Sequence, residues 1–196
     1  MATVEPIRNR QDVIDLIEYM ENESAVSERT RMRNALIISI GVNAGFRVGD
    51  IVKLQRKHIL GWHIAFQDQK TGKFTKRKMA GTLKERLKVY IEGMKPDDYL
   101  FPSREGKGLG KTKKRQKHIQ PNTVYKIIKK AADRLGLENI ATHSLRKTFG
   151  MMLYDQTRDV AIVMGMLNHS SQSITYRYIG KNQDSQDKAM TKYEGF

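Results

Sequence analysis

Apolar residues recur along this chain at two different spacings. Near the N-terminal end Val13, Ile14, Ile17 and Met20 fall at helical intervals, which predicts a helix over Arg8–Met20 with one buried face. The polar stretch Glu21–Glu28 reads as a loop. Ala35, Leu36, Ile37, Ile38 and Ile40 then make the middle of Arg29–Val42 apolar almost all round, the pattern of a helix at the centre of a core. Asn43-Ala44-Gly45 ends it, with glycine suited to the left-handed cap. A short third helix is expected over Val48–Leu54.

Past this point the period changes. Trp62–Gln67 loosely alternates apolar and polar residues, and Lys73–Met79 is basic and tolerant of extended backbone. With Thr71-Gly72 as a turn between them, they predict a small hairpin or meander. Helical spacing returns at Leu83, Leu87, Tyr90 and Ile91, with Thr82 as the expected cap. Ser103–Gln120 is a loop rich in Gly and Lys. Pro121 suits the first turn of the next helix, whose stripe is Val124, Ile127, Ile128, Ala131 and Leu135 and whose end is Gly136. Further helices are expected over His143–Tyr154, over Val160–Leu167, and around Tyr176 and Tyr178. The tail Lys181–Phe196 is polar, with room for one more helix.

Length and charge narrow the class. The chain has 196 residues, enough for one domain with a proper core. No apolar run approaches a membrane span, and Met1–Arg10 has no apolar signal core, so a cytoplasmic protein with no membrane partner is expected. With Cys 0, disulfides and thiolate metal sites are excluded. Lys+Arg 36 against Asp+Glu 21 gives a net charge of +15 and a pI of about 10.0. So basic a domain calls for an anionic partner, nucleic acid first; a ribosomal or membrane-surface protein is the plainer alternative.

The candidate chemistry suits a phosphodiester. Negative charge grows on the non-bridging oxygens during attack, so fixed cations are needed there, with a nucleophile on one side and a proton donor on the other. Arg47 and Arg146 can supply the charge, since a guanidinium forks onto two oxygens; no obvious carboxylate cluster is present for a metal. His143 lies three residues before Arg146, on the same helix face. His169 is a second imidazole, Lys70 a candidate proton donor at the hairpin turn, and a tyrosine a candidate nucleophile. Taken singly, each arginine reads as a solvated residue, Lys70 as one surface lysine of many, and His58, His63 and His118 as surface or strand residues. Spacing alone does not choose between Tyr176 and Tyr178.

Taken in order, the motifs resemble the catalytic domain of the tyrosine recombinases, the phage integrase family. Ala44-Gly45-Phe46-Arg47-Val48-Gly49-Asp50-Ile51 is similar to the family's first arginine box, Lys70 to its hairpin lysine, and Tyr99-Leu100-Phe101-Pro102-Ser103 to the segment after the hairpin. Thr142-His143-Ser144-Leu145-Arg146-Lys147-Thr148-Phe149 resembles the second box and Leu167-Asn168-His169-Ser170-Ser171 the third. The family's nucleophile follows that histidine by nine positions, which selects Tyr178.

The resemblance implies a mainly α fold with a small antiparallel β-hairpin or three-stranded sheet. It implies a site-specific recombinase or integrase that cleaves and rejoins DNA through a 3′-phosphotyrosine, with neither metal nor ATP and hence no cofactor. Arg47, Arg146 and His169 would bind phosphate oxygens, Lys70 would protonate the leaving oxygen, His143 would assist proton transfer, and Asp50 would support Arg47. Lys107, Lys111, Lys113, Lys114, Arg115 and Lys117 would touch DNA, or else form a solubilising loop. The expected organisation is a catalytic domain over 1–180, no N-terminal core-binding domain, and a tail over 181–196 that docks on a neighbouring protomer. Double-stranded DNA, a homotetramer on paired sites and accessory DNA-bending proteins are the implied partners, in a bacterial or phage-encoded, nucleoid-associated setting. The alternatives are a DNA-binding regulator with the same fold and a type IB topoisomerase-like activity.

Overall fold

The computed structural model describes residues 4–67, 72–103, 117–181 and 190–193. Its helices are α1 (Arg10–Asn22), α2 (Glu28–Ala44), α3 (Val48–Ile51), α4 (Gly81–Tyr90), α5 (Pro121–Arg134), α6 (Thr142–Thr157), α7 (Val160–Leu167) and α8 (Gln172–Tyr178). The strands are β1 (Ile59–Leu60), β2 (His63–Gln67) and β3 (Phe74–Lys78), preceded by a single 3-10 turn at Arg56–His58.

Helix α2 is the axis of the core. Every residue from Ala35 to Val42 is buried, and the helix packs against α1, α4 and α6. Burying Ile37, Ile38 and Ile40 contributes roughly 1.5–3 kcal/mol each. Two glycines let α6 lie close. A Cβ on Gly41 would sit 2.7 Å from Leu145 Cδ1. One on Gly45 would sit 2.2 Å from Phe149 Cδ1, at a left-handed φ of 66°.

Several boundaries differ from the sequence expectation. Helix α1 starts at Arg10 because the Asn9 side chain caps it, accepting from the Gln11 N–H at 2.9 Å. Its buried stripe is Val13, Leu16 and Met20, and Ile14 is 37% exposed: docking on α2 selects a face rotated from the one read off the pattern. Helix α3 stops at Ile51, since the following N–H groups of Lys53 and Leu54 bond three residues back and tighten the turn. Thr82 does not cap α4. Ala80 takes the extended cap position directly after the buried Met79 and the helix begins at Gly81, leaving Thr82 in its first turn. At the end of α5 the expected glycine does its work. Gly136 has φ 68°, and Leu137 N–H reaches back to the Ala132 carbonyl at 2.8 Å, a Schellman closure.

The sheet is antiparallel in the order β1-β2-β3. In β2–β3, His63 pairs with Lys78, Ile64 with Arg77, Ala65 with Lys76, Phe66 with Thr75 and Gln67 with Phe74. Phe74, Lys76 and Lys78 are exposed along the edge strand, which lysines protect from stray pairing, while Thr75 and Arg77 are half-buried. A second, smaller core of Phe149, Met151, Val163, Leu167 and Ile179 joins α6, α7 and the end of α8. Here again a glycine permits contact: a Cβ on Gly150 would meet Ile179 Cγ2 at 2.9 Å. Lys70, Lys107, Lys111, Lys113, Lys114, Arg115 and most of the tail lie outside the described residues. Among the described residues no helix is long and apolar enough to cross a membrane.

Gly45→Ala would add a clash with Phe149 to left-handed strain. We expect it to destabilise the fold by about 2 kcal/mol or more, read as the shift in urea denaturation midpoint, and Gly49→Ala, where a Cβ meets nothing within 4 Å, to change it far less.

Candidate active site

The site assembles where three helix ends meet. Arg146, on the second turn of α6, is 6% exposed. Its guanidinium donates to the Gly45 carbonyl at the end of α2 and to the Leu167 carbonyl at the end of α7, the latter at 2.6 Å. Helix C-termini carry partial negative charge, so two of them compensate the buried cation. Each bond to a charged donor is worth about 1.5–3 kcal/mol.

Arg47 arrives from the short turn between α2 and α3. Phe46 before it is buried, edge-on to Phe66 of β2 with ring centroids 4.8 Å apart. Arg47 itself is the extended cap residue of α3 and is half-buried. Asp50, one turn on, is buried at 7% exposure, and its N–H donates to the Arg47 carbonyl at 2.9 Å.

The Leu167-Asn168-His169-Ser170-Ser171 segment is a junction between two helices. Asn168 ends α7 in the left-handed conformation, φ 50°, and Ser171 caps α8, accepting from the Ile174 N–H at 3.3 Å. Between them His169 is pinned by its own N–H, bonded to the Met164 carbonyl at 3.0 Å. Its ring packs edge-on against Tyr178, centroids 4.9 Å apart, and its Nδ1 lies 3.1 Å from Thr175 Oγ1.

Tyr178 closes the cluster from the last turn of α8. Burial pushes its phenol above the usual tyrosine range; the adjacent Arg146, through its charge and a hydrogen bond, and Arg47 pull in the other direction. His169 is held below the ordinary histidine value, first by burial and then by the charges of Arg146 and Arg47. Four of the sequence-predicted residues, Arg47, Arg146, His169 and Tyr178, therefore share one site. Tyr176 does not: its ring packs edge-on against Tyr154, centroids 5.6 Å apart. His143 sits one turn before Arg146, exposed to solvent. Lys117 is exposed where the lysine-rich loop rejoins the described chain. Of the other histidines, His58 lies in the 3-10 turn with Nδ1 accepting from the Gln55 N–H at 3.0 Å, and His118 Nδ1 meets the Ile119 carbonyl at 2.8 Å. Among the described residues no three of His, Asp and Glu gather as a metal-binding group.

Three further residues border the site that the sequence reading passed over. Arg77 of β3 donates to the Met166 carbonyl, one residue before the Arg146 acceptor. Its Nε is buried with no partner among the described residues, and desolvation lowers its pKa. Lys147 donates to the Val4 carbonyl at 2.6 Å with its ammonium 5.5 Å from the Tyr178 ring centre. Thr175, fully buried, is the third. Strand and helix periodicity carried no signal for any of them.

Residues 9–185 match the model of the phage integrase family. The chain is 35% identical over 196 residues to the "Probable integrase/recombinase YoeC" of Bacillus subtilis (strain 168), covering all of this chain and 99% of that one. It is 26% identical over 162 residues to the tyrosine recombinase XerA of Pyrococcus horikoshii, covering 81% of this chain and 54% of that one. It thus spans about half the length of the XerA relative. Among solved structures, the crystal structure of XerA recombinase superposes with a TM-score of 0.72 at 20% identity, covering 100% of this chain and 65% of that one. A post-cleavage complex of the XerH site-specific recombinase with a palindromic difH substrate gives 0.74 at 20% identity, covering 98% and 54%. The fold is that of the tyrosine recombinase catalytic domains. The chain belongs to the phage integrase family, the tyrosine-type site-specific recombinases.

Because the folded protein resists protonating His169, the stability contributed by the neutral ring is present above about pH 6.5 and lost as pH falls through that ring's lower folded value. We expect the urea midpoint of the wild type to fall relative to His169→Gln between pH 7.5 and 5, on the order of the usual histidine range. A constant difference across that window would contradict the depressed value.

Proposed function

We propose that this chain cleaves and rejoins double-stranded DNA at specific sites, with Tyr178 as nucleophile. The observation that carries this reading is the position of Tyr178, beside Arg146, within the field of Arg47 and with its ring edge-on to His169. A phenol so placed has the phosphate-binding groups on its doorstep, and a pure DNA-binding regulator has no use for that arrangement. The family membership and the fold shared with DNA-bound recombinases support the same reading.

In the proposed reaction Tyr178 Oη attacks phosphorus in line with the 5′ oxygen. The bond from Oη to phosphorus forms and the bond to the 5′ oxygen breaks, leaving a 3′-phosphotyrosine and a free 5′-hydroxyl. Arg47, Arg146 and His169 hold the non-bridging oxygens as negative charge grows on them. Lys70 protonates the leaving 5′ oxygen, and His143, one helical turn from Arg146, assists proton transfer. Asp50 steadies the turn that carries Arg47. The phosphotyrosine keeps the bond energy, so attack by a 5′-hydroxyl reverses the step without ATP or metal.

The wider assembly is proposed on the same footing: residues 1–180 as catalytic domain, 181–196 as a tail docking on a neighbouring protomer, and a tetramer on paired sites aided by DNA-bending proteins. Lys107, Lys111, Lys113, Lys114, Arg115 and Lys117 would contact backbone phosphates, which give affinity without sequence preference.

A nicked suicide substrate should trap a covalent protein–DNA complex in the wild type and none in Tyr178→Phe; a complex formed by the Phe variant would refute the nucleophile. Arg47→Ala should slow trapping by about 10²–10³-fold while much of the DNA binding survives in a gel-shift assay. Arg146→Ala is the poorer probe, since it also unties the ends of α2 and α7 and so lowers stability.

A further inference from the structure

The hydroxyl of Thr175 is fully buried and makes two hydrogen bonds whose directions can be assigned. It lies 3.0 Å from the Ser171 carbonyl and 3.1 Å from His169 Nδ1. A carbonyl cannot donate, so the single hydroxyl hydrogen goes to Ser171, and the oxygen is left to accept. His169 Nδ1 must then carry a hydrogen. We propose that Thr175 is a positioning residue that locks His169 in the Nδ1–H tautomer and leaves Nε2 as the nitrogen available to substrate.

The lock is local and rigid. Ser171 is both the cap of α8 and, through its carbonyl, the acceptor for Thr175 N–H at 3.2 Å as well as for its hydroxyl. Thr175 is thus held from backbone and side chain by one residue. The backbone N–H of His169 is held by the Met164 carbonyl. The charged and titratable groups facing the ring are Arg146 from α6, Arg47 from the turn before α3 and Tyr178 from α8; the two guanidiniums cannot accept from Nδ1, and Tyr178 meets the ring edge-on with centroids 4.9 Å apart. Without such a partner the neutral ring can carry its hydrogen on either nitrogen, so the hydroxyl is what selects one. With Nδ1 committed, Nε2 of the neutral ring is bare. It can donate to a phosphate oxygen once the ring has taken up a proton, and the charge of an arriving phosphate favours that uptake. The same logic, a second group fixing which imidazole nitrogen faces the chemistry, governs histidines in other hydrolytic and metal sites.

The test combines a DNA-free spectroscopic measurement with a cleavage assay, the latter resting on the recombinase reading above. Long-range ¹H–¹⁵N spectra of the whole protein at pH 8, with the His169 signals identified by their loss in His169→Gln, should show protonated Nδ1 and bare Nε2. Thr175→Val should shift His169 toward the Nε2–H form, and Thr175→Ser should retain the wild-type pattern. The signals of His58, His63, His118 and His143 report whether the Val variant is folded. In the suicide-substrate assay Thr175→Val should slow covalent trapping by about 10- to 100-fold, with Thr175→Ser close to wild type. Nε2–H in the wild type, an unchanged tautomer in Thr175→Val, or a changed tautomer with undiminished trapping would each overturn the proposal. The tautomer needs no DNA, so it stands or falls separately from the recombinase reading, which wild-type protein that never forms a covalent complex would refute.

Discussion

The Arg146 guanidinium between the carbonyls of Gly45 and Leu167 is the interaction on which the site depends. It joins the C-terminus of α2, the central core helix, to the C-terminus of α7, which delivers His169. A buried cation is costly unless it is paired. Here two helix ends contribute to the compensation through their carbonyls. The carbonyl partners fix its position at the meeting point of the helices.

That geometry places demands on the packing around it. Helix α6 must approach α2 closely enough for Arg146 to reach Gly45, and the glycines at 41 and 45 allow this by removing the Cβ atoms that would strike Leu145 and Phe149. Gly150 does the same for the other side of α6, where Ile179 comes in directly after Tyr178. A third cation, Arg77, extends the pattern to the sheet by gripping Met166 next to Leu167. The end of α7 is thus clamped by two arginines from different elements, and the hairpin is tied to the segment that bears His169.

The electrostatics of the cluster oppose one another. Burial disfavours the Tyr178 phenolate, and the arginines favour it. The net shift is upward in the DNA-free protein, so the phenol is held neutral at ordinary pH. His169 shows the complementary case, with burial and two guanidinium charges all favouring its neutral form.

Much of this was legible along the chain. The all-round apolar run in Arg29–Val42 marked the central helix because helix burial follows local periodicity, and the helix expected over Val160–Leu167 has those bounds, with Asp159 as its cap and Asn168 at its end. The resemblance to the phage integrase family pointed to Tyr178, whereas the surroundings of Tyr176 and Tyr178 differ only once α8 is docked. Which face of α1 is buried was misjudged, as was the capping of α4, because both are settled by what the element packs against. Arg77 reaches Met166 across 89 residues and Arg146 reaches Gly45 across 101; no periodic pattern encodes a contact of that range. The sequence by itself determined the helices, the basic character and the set of reactive groups, since these follow from residue type and near-neighbour spacing. Only the tertiary structure decided that two helix ends share one guanidinium and which nitrogen of His169 is left free, because both depend on directional hydrogen bonds that exist only after the helices have packed.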